Sequence, residues 1–332
     1  MQIYVSMNIY FYLYLLWKTL EYFMNFTLHQ IKVFSVIVRE KSITKAAEEL
    51  NMTQPAASIQ LRNFQDQFDI PLTEVIGRQL YVTNFGQEVF QIAEDILNQV
   101  ETINYKTQAF KGLISGKLRI SVVSTGNYVM PYFLNGFLKK HPQIDLALDV
   151  SNKSKVINDL ENNQVDFALV TINPPHLEIN EEPIMINKLY LVAAYKNNID
   201  ISKSAGKKVF NRIPLIYREE GSGTRFTMQQ FFAEEDIQPT IKLELSTNEA
   251  IKQAVVADIG MSIVSLLSIK NELSQKELKI VPVKGLPLES QWKLIWLKKK
   301  RPSPVAEAFL DYVRDEKNSV YQNYFDWMED FN

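Results

Sequence analysis

Polar side chains and one cation recur along residues 54–62 at a spacing that brings them onto one face of a helix. At 100° per residue that face carries Pro55, Ser58, Ile59 and Arg62, and Gln54 stands at the exposed N-terminus. Amides and hydroxyls can hydrogen-bond to base edges in the major groove of DNA, an isoleucine can contact a thymine methyl group, and an arginine can bind a phosphate. The segment is therefore a candidate for reading DNA, although most amphipathic helices in small domains bind no nucleic acid.

The surrounding residues predict two helices joined by a tight turn. Asn51 tolerates a left-handed backbone, Thr53 can cap the following helix, and Pro55 fits its first turn. The two helices can cross closely because small or apolar residues face each other: Ala46, Ala47 and Leu50 on the first, and Ala57, Leu61, Phe64 and Phe68 on the second. This pattern predicts a helix-turn-helix.

A short strand over residues 78–83 follows Gly77 and predicts the wing of a winged helix, with Arg78 at its tip. Arg78 is either a phosphate contact or an exposed turn residue. Charge argues against DNA binding, because residues 24–83 carry six Lys or Arg and six Asp or Glu. Binding would then depend on cations grouped on one side and on a second copy of the domain. The expected DNA contacts are Lys45, Thr53, Gln54, Pro55, Ser58, Ile59, Arg62 and Arg78.

A long helix is predicted over residues 84–110. Its apolar positions follow each other at steps of three, four, four, three and seven, at Val89, Ile92, Ile96, Val100, Ile103 and Phe110. That spacing is close to a heptad seam, which requires a second helix to cover it. The seam therefore predicts a dimer. Gly112 and Gly116 are expected to end the helix and to form a hinge.

Strands and helices alternate from Leu118 onward, which predicts an α/β domain with a mostly parallel sheet. Helices are expected at 129–140, 156–162, 224–235, 248–257 and 305–314. The predicted strands are 118–123, 144–150, 165–170, 189–194, 214–217, 241–245, 260–265, 278–283 and 292–297.

Three loops of this domain place hydroxyl and amide groups where strands end and helices begin. Ligands of open α/β sheets bind beyond the carboxyl ends of the strands, and a helix N-terminus favours an anion. Either these residues only cap their helices or they bind an anion together. The Gly spacing in 221–225 does not match a Walker loop. The expected ligand-binding residues are Ser124, Thr125, Thr171, Thr224, Arg225, as a bidentate cation, and Asn248.

The sequence TKAAEELNMTQPA, followed by IPL and IGRQLYVTNFG, resembles the N-terminal domain of LysR-type transcriptional regulators, and the resemblance continues along nearly the whole chain. It implies a winged helix-turn-helix over 24–83, a dimerising linker over 84–117, and a two-lobed, periplasmic-binding-protein-like (type 2) effector domain over 118–320. Lobe I would comprise 118–188 and 287–320, lobe II 189–286, and residues 321–332 a C-terminal tail.

REEGSGTR and STNEAIKQAVVADIGMSIVS are similar to the branch of this family that regulates carbon-fixation operons. The resemblance implies a double-stranded DNA operator, a homodimer or homotetramer, RNA polymerase as a further partner, no cofactor, and a small anionic effector such as a phosphorylated metabolite or a nicotinamide nucleotide. Asp69, Thr73 and Ile59 depart from the family pattern. The first two concern packing of the wing, and Ile59 puts a borrowed operator sequence in doubt.

Composition bounds the alternatives. The chain has 332 residues, no cysteine and three widely separated histidines, which disfavours disulfides and a zinc site and fits a cytoplasmic protein. Residues 1–23 are too short in apolar length to span a membrane and are expected to be an upstream start before Met24. Two alternatives are an enzyme on the same two-lobed fold and a solute-binding protein. The chain shows no nucleophile at the spacing from a base that an enzyme of this kind would need. A solute-binding protein would not need a helix-turn-helix.

Overall fold

The computed structural model describes residues 25–77, 79–109, 114–198, 207–211 and 213–331. The predictions made for residues 1–23 and for Arg78, Phe110 and Gly112 therefore lie outside the described residues. The chain divides into two compact units, Met1–Glu101 and Thr102–Asn332. Each unit is a fold of its own.

The first unit is a three-helix domain with a two-stranded wing and the start of a long helix. Thr27, Ser42 and Thr53 each cap a helix by accepting a hydrogen bond from a backbone N–H three residues on. The elements are α1 (Leu28–Glu40), α2 (Ile43–Glu49), α3 (Gln54–Gln65), β1 (Thr73–Ile76), β2 (Gln79–Val82) and α4 (Asn84–Ala109).

The turn between α2 and α3 has the predicted backbone. Asn51 adopts φ +53°. Of the residues expected to face inward, Leu50 and Phe68 are half-buried and the others are buried, with Ala46 and Ala57 fully inaccessible. Phe34 of α1 and Phe64 of α3 meet with ring centroids 5.1 Å apart. The helix-turn-helix is confirmed.

The wing is a hairpin whose first strand, β1, was not predicted. Its register pairs Ile76 with Gln79 across a two-residue turn, and Gly77 there adopts φ +67°. Thr73 donates its backbone N–H and its hydroxyl to Oε1 of Gln65, at 3.0 and 2.8 Å, and so ties the wing to α3. Gly86 in α4 allows a close approach, because a Cβ there would lie 1.9 Å from the carbonyl oxygen of Leu72.

Helix α4 keeps apolar side chains exposed along one side. Ile92 is 60% exposed and Ile103 66% exposed, while Val89, Ile96 and Val100 are half-buried. An exposed stripe of this kind fits the predicted seam, since solvent-exposed isoleucines favour a further covering surface.

The second unit consists of alternating strands and helices, as predicted. Its elements are β3 (Gly116–Val123), α5 (Met130–Lys140), β4 (Ile144–Ser151), α6 (Lys153–Glu161), β5 (Phe167–Val170), β6 (Ile179–Ala194), β7 (Pro214–Arg218), α7 (Gly223–Glu234), β8 (Thr240–Leu245), α8 (Asn248–Val256), β9 (Ser262–Ser265), α9 (Lys270–Ser274), β10 (Leu278–Ile280), β11 (Leu288–Leu297) and α10 (Pro304–Tyr324).

Seven strands form one sheet in the order β10-β6-β11-β5-β3-β4, with β9 also paired to β6. Strands β3, β4 and β5 are parallel, and β7 and β8 form a separate parallel pair. The expectation of a mostly parallel sheet is wrong at the centre, because β6 and β11 run antiparallel to each other and to their neighbours. Only the last six residues of β6 were predicted as a strand. The first half of β6 is only partly buried, and its residues therefore do not form a continuous apolar run.

The two central strands link two lobes. The N-terminal half of β6 pairs with the end of β11, and this end of β11 also pairs with β5. The C-terminal half of β6 pairs with β9. One apolar core is built around β3, β5, α5 and α10. A second lies between β7, α7 and the buried residues Val209, Phe210 and Ile213. This is the two-lobed architecture that the resemblance implies.

The segment predicted as a C-terminal tail is instead part of the folded unit. Helix α10 continues to Tyr324, and a 3₁₀ turn covers Asp326–Phe331. Phe325 and Met328 are each 2% exposed. This expectation is wrong because the buried apolar positions 320, 325 and 328 are widely spaced between polar residues, so that they do not form a helical pattern in the sequence.

Candidate DNA interface and anion-binding cleft

The predicted DNA-reading face of α3 is exposed. Ile59 is 57% exposed, the Arg62 side chain 82% exposed, and Gln54 and Pro55 are exposed as well, while Ser58 is half-buried. Arg62 pairs with Asp66 at 3.8 Å, an exposed contact that stabilises little and leaves the guanidinium able to meet a phosphate.

Two further predicted contacts flank this face. Thr53 is exposed, and its Oγ1 accepts a hydrogen bond from the backbone N–H of Ala56 at 3.4 Å, so that it acts first as a helix cap. Lys45 is an exposed residue of α2. The exposed apolar residues Val75 and Ile76 add to the wing a surface that the sequence did not single out.

Four of the six predicted ligand-binding residues line one small cavity in the second unit. The cavity has a volume of about 10 Å³, room for about one water molecule. Its wall is formed by the end of β3, the loop after β5 and the N-termini of α6 and α7. The predicted residues on it are Ser124, Thr125, Thr171 and Thr224.

The fifth, Asn248, reaches the cavity through a residue that the sequence analysis missed. Arg218, the last residue of β7, is 4% exposed. Its guanidinium donates to Oδ1 of Asn248, to Oγ of Ser124 at 3.1 Å and to the carbonyl of Ser246 at 3.4 Å. The bond to Ser124 joins the two lobes. The signal was present, because Arg218 directly follows the buried run 214–217 at a strand's carboxyl end.

Arg225 is not part of this cavity. Its Nη1 donates to Glu244 at 2.6 Å and to the carbonyl of Arg218 at 3.0 Å, Nη2 to Glu220 at 3.4 Å, and its guanidinium lies 5.8 Å from the ring centre of Tyr217. These contacts fix it in a neighbouring groove of about 570 Å³. Arg225 thus lines the groove and not the cavity, and its role as the cation of the site stays a prediction.

A second cation borders both the cavity and the groove. Lys153, at the start of α6, lies with Nζ 4.8 Å from the ring centre of Phe226 in α7. Burial lowers the pKa of Lys153 from its usual value, because desolvation disfavours the ammonium form. The lysine is thus a partly desolvated amine at the border of the cavity.

The arrangement is suited to binding an anion. Two helix N-termini, several hydroxyls and Lys153 line one cavity, and Arg218 is joined to it by its hydrogen bond to Ser124. Among the described residues, no cluster of three or more His, Asp or Glu side chains could hold a metal ion. None of the helices described is long and apolar enough to cross a membrane.

Comparison with known proteins agrees with both units. Residues 28–87 match the bacterial regulatory helix-turn-helix protein, lysR family, and residues 111–318 match the LysR substrate binding domain. The chain is 37% identical over 300 residues to the HTH-type transcriptional activator CmpR of Synechocystis sp., covering 90% of this chain and 99% of that protein. It is 36% identical to a RuBisCO operon transcriptional regulator of Allochromatium vinosum, covering 88% and 97%.

A solved structure also matches the second unit. The Synechocystis PCC6803 CcmR regulatory domain in complex with 2-PG aligns with a TM-score of 0.59 and 30% sequence identity, covering 61% of this chain and 98% of that one. The resemblance to the carbon-fixation branch is thereby confirmed. The chain belongs to the LysR family, and it is a DNA-binding transcriptional regulator that a small metabolite switches through its two-lobed effector domain.

Proposed function

We propose that the effector is a small anion, such as the 2-PG bound by the related CcmR domain, and that it binds at the cavity beside Arg218. The proposed ligand contacts are Ser124, Thr125, Thr171, Thr224, Lys153 and Arg218, with Asn248 orienting the arginine. The observation that carries this proposal is the convergence of two helix N-termini and several hydroxyls on one cavity, where Ser124 accepts a hydrogen bond from the buried Arg218.

The size of the cavity adds a condition. A cavity of about 10 Å³ cannot accommodate a phosphorylated metabolite, so the two lobes must separate before such a ligand enters. Arg218 and Ser124 must then part, because their 3.1 Å hydrogen bond crosses the entrance between the lobes. Ligand binding is therefore coupled to a change in lobe arrangement, which is the element that a switch requires.

We also propose how the protein meets DNA. Gln54, Ser58 and Ile59 would contact base edges, while Arg62 and Lys45 would contact phosphates; Thr53 and Pro55 would pack beside the backbone, and Arg78 keeps its predicted phosphate contact. A homodimer or homotetramer joined by α4 would place two such faces on an imperfect palindrome. We further propose that the protein regulates carbon-fixation genes, since one relative is named as a RuBisCO operon regulator. We propose that it contacts RNA polymerase, since another relative is named as a transcriptional activator.

The test is calorimetric titration of the full chain with 2-PG and with inorganic phosphate. Thr171→Val removes one hydroxyl from the cavity and preserves the shape of the side chain, so it should weaken 2-PG binding about tenfold, the effect expected of one hydrogen bond to an anion. Thr240→Val, at an exposed position of β8, is the matched control and should bind as the wild type does. Equal affinity of the two variants would remove the cavity as the effector site.

A further inference from the structure

We infer that Glu219 is a built-in counter-ion of Arg218, and that an anionic effector must displace its carboxylate in order to bind. The inference rests on the proposed function, because it assumes that the effector binds beside Arg218. Glu219 would be a specificity determinant that follows the ligand contact Arg218 in sequence and competes with the ligand for the arginine.

The guanidinium of Arg218 is already engaged by a carboxylate. Nε donates to Oε2 of Glu219 at 2.7 Å and Nη2 donates to Oε1 at 2.9 Å, which is a bidentate pair. The other bonds run to Asn248, Ser124 and the carbonyl of Ser246. An incoming anion therefore finds the donor edge that it would use already occupied.

The same pair cancels the charge of the arginine. The Arg218 side chain is 4% exposed and that of Glu219 is 20% exposed, so the two charges lie in surroundings where electrostatic interactions are strong. Among the described residues that line the cavity, Lys153 is the cation, and Arg218 is joined to the cavity by its hydrogen bond to Ser124. An anion placed beside Arg218 would also meet the Glu219 carboxylate, and like charges at such distances repel.

Glu219 can leave without disturbing the fold. Its backbone N–H donates to the carbonyl of Leu245 at 3.1 Å, and its carbonyl accepts from Ser222 at 3.2 Å, so the main chain is held on both sides. The side chain, in contrast, is partly exposed and has no other bond among the described contacts besides those to Arg218. Rotation toward solvent would free the bidentate edge of Arg218 while Asn248 and Ser246 keep the arginine in position.

This arrangement discriminates between ligands by charge. A neutral molecule forms no ion pair that offsets the loss of the Arg218–Glu219 pair. A phosphate or a phosphorylated acid, in contrast, replaces the Glu219 carboxylate by an anion of higher charge. Glu219 would therefore set a threshold that only strongly anionic ligands pass. Neutralising it should lower the threshold and make binding tighter.

The experiment compares three full-length proteins by calorimetry with 2-PG and with inorganic phosphate. Glu219→Gln removes the charge at nearly constant shape and should bind 2-PG about tenfold tighter than the wild type. Glu220→Gln is the matched control: the adjacent carboxylate is 87% exposed and pairs with Arg225 at 3.4 Å, outside the cavity. Its affinity should stay within twofold of the wild type.

Three results would overturn the inference, and they separate it from the proposed function. If the wild type binds 2-PG and Glu219→Gln binds it no tighter, Glu219 is not a competing counter-ion, while the proposed site stands. If no protein binds either anion, the proposed site fails and the inference falls with it. If both Glu219→Gln and Glu219→Ala lose their cooperative thermal transition, Arg218 depends on Glu219 for folding, and the carboxylate cannot be displaced as inferred.

Discussion

Thr53 and Asn51 differ from Arg218 in how far along the chain their partners lie. Thr53 and Asn51 act within three or four positions of themselves, so the sequence alone specified the cap and the turn. Arg218 contacts Ser124, which is 94 positions away, and only the sheet brings the two together. Arg225 is the only full cation in the three loops that the sequence singles out, but its guanidinium pairs with Glu244 on the neighbouring strand.

At the same scale, Gln54 and Arg62 should differ in what they contribute to DNA binding. Gln54→Ala should weaken binding to the cognate operator by about 1–3 kcal/mol and change random DNA little, because an amide reads base edges. Arg62→Ala should weaken binding to all sequences and reduce its salt dependence, because an exposed guanidinium neutralises a phosphate. Fluorescence anisotropy with specific and random duplexes over a salt series measures both effects. An equal loss on both duplexes for Gln54→Ala would exclude it from base reading.

Elements with regular periodicity were predicted and irregular ones were not. The predicted start of helix α4 at Asn84 agrees with the structure, and apolar residues repeat along the helix. The first half of β6 contains the polar residues Asn180, Glu181 and Glu182, which do not give the apolar pattern expected of a buried strand. In the structure this half of β6 is nevertheless paired with β11. Helix α10 was cut short for a similar reason, since its last ten residues contain few apolar positions.

The middle of α10 is held to β6 by an ion cluster that gives the stability of the fold a pH dependence. Burial alone would raise the pKa of Glu182, but hydrogen bonds from Lys317 at 2.7 Å and Arg314 at 2.9 Å outweigh it and lower that pKa. The stabilisation is therefore complete above the ordinary glutamate pKa of about 4.3 and is lost as pH falls through the lowered value.

Glu182→Gln should accordingly lower the free energy of unfolding by about 1–3 kcal/mol at pH 7, since it weakens hydrogen bonds between charged groups. The difference from the wild type should shrink as the solution is acidified below pH 4. Urea denaturation at several pH values measures it, and Glu178→Gln, at an exposed position, is the control. A difference that persists unchanged at acid pH would mean that charge is not its cause.

The exposed stripe of α4 belongs to the element scale as well. Burial of one isoleucine contributes about 1.5–3 kcal/mol, so Ile92→Glu or Ile103→Glu should raise the dissociation constant of the dimer by at least about tenfold. Sedimentation velocity over a concentration series measures the change. Gln87→Glu adds the same charge to the same helix at an exposed position away from the stripe and should leave assembly unchanged. Unaltered assembly of both isoleucine variants would refute the seam.

At the scale of the whole molecule, function depends on converting lobe arrangement into operator binding. Strands β6 and β11 run through both lobes, so neither lobe can move without bending at these two strands. The bond from Arg218 to Ser124 closes the opposite side. A ligand shifts this equilibrium only by the difference in its affinity for the two arrangements, and about 1.4 kcal/mol of difference changes the ratio tenfold. That difference must come from groups that the ligand meets in one arrangement only.

Arg218 is the group best placed to supply it, and Arg225 provides the matched comparison. Arg218→Lys keeps the charge but loses the planar fork that reaches a ligand, Ser124 and Asn248 together, so the operator footprint should stop responding to 2-PG at wild-type effector concentrations. Arg225→Lys makes the same change in the neighbouring groove and should keep the response, because its side-chain partners Glu244 and Glu220 do not line the cavity and it contacts Arg218 only at the backbone carbonyl. Footprints with and without 2-PG, and binding to the operator alone, distinguish a lost switch from lost DNA binding. Loss of response in Arg225→Lys with an intact response in Arg218→Lys would move the effector from the cavity into the groove.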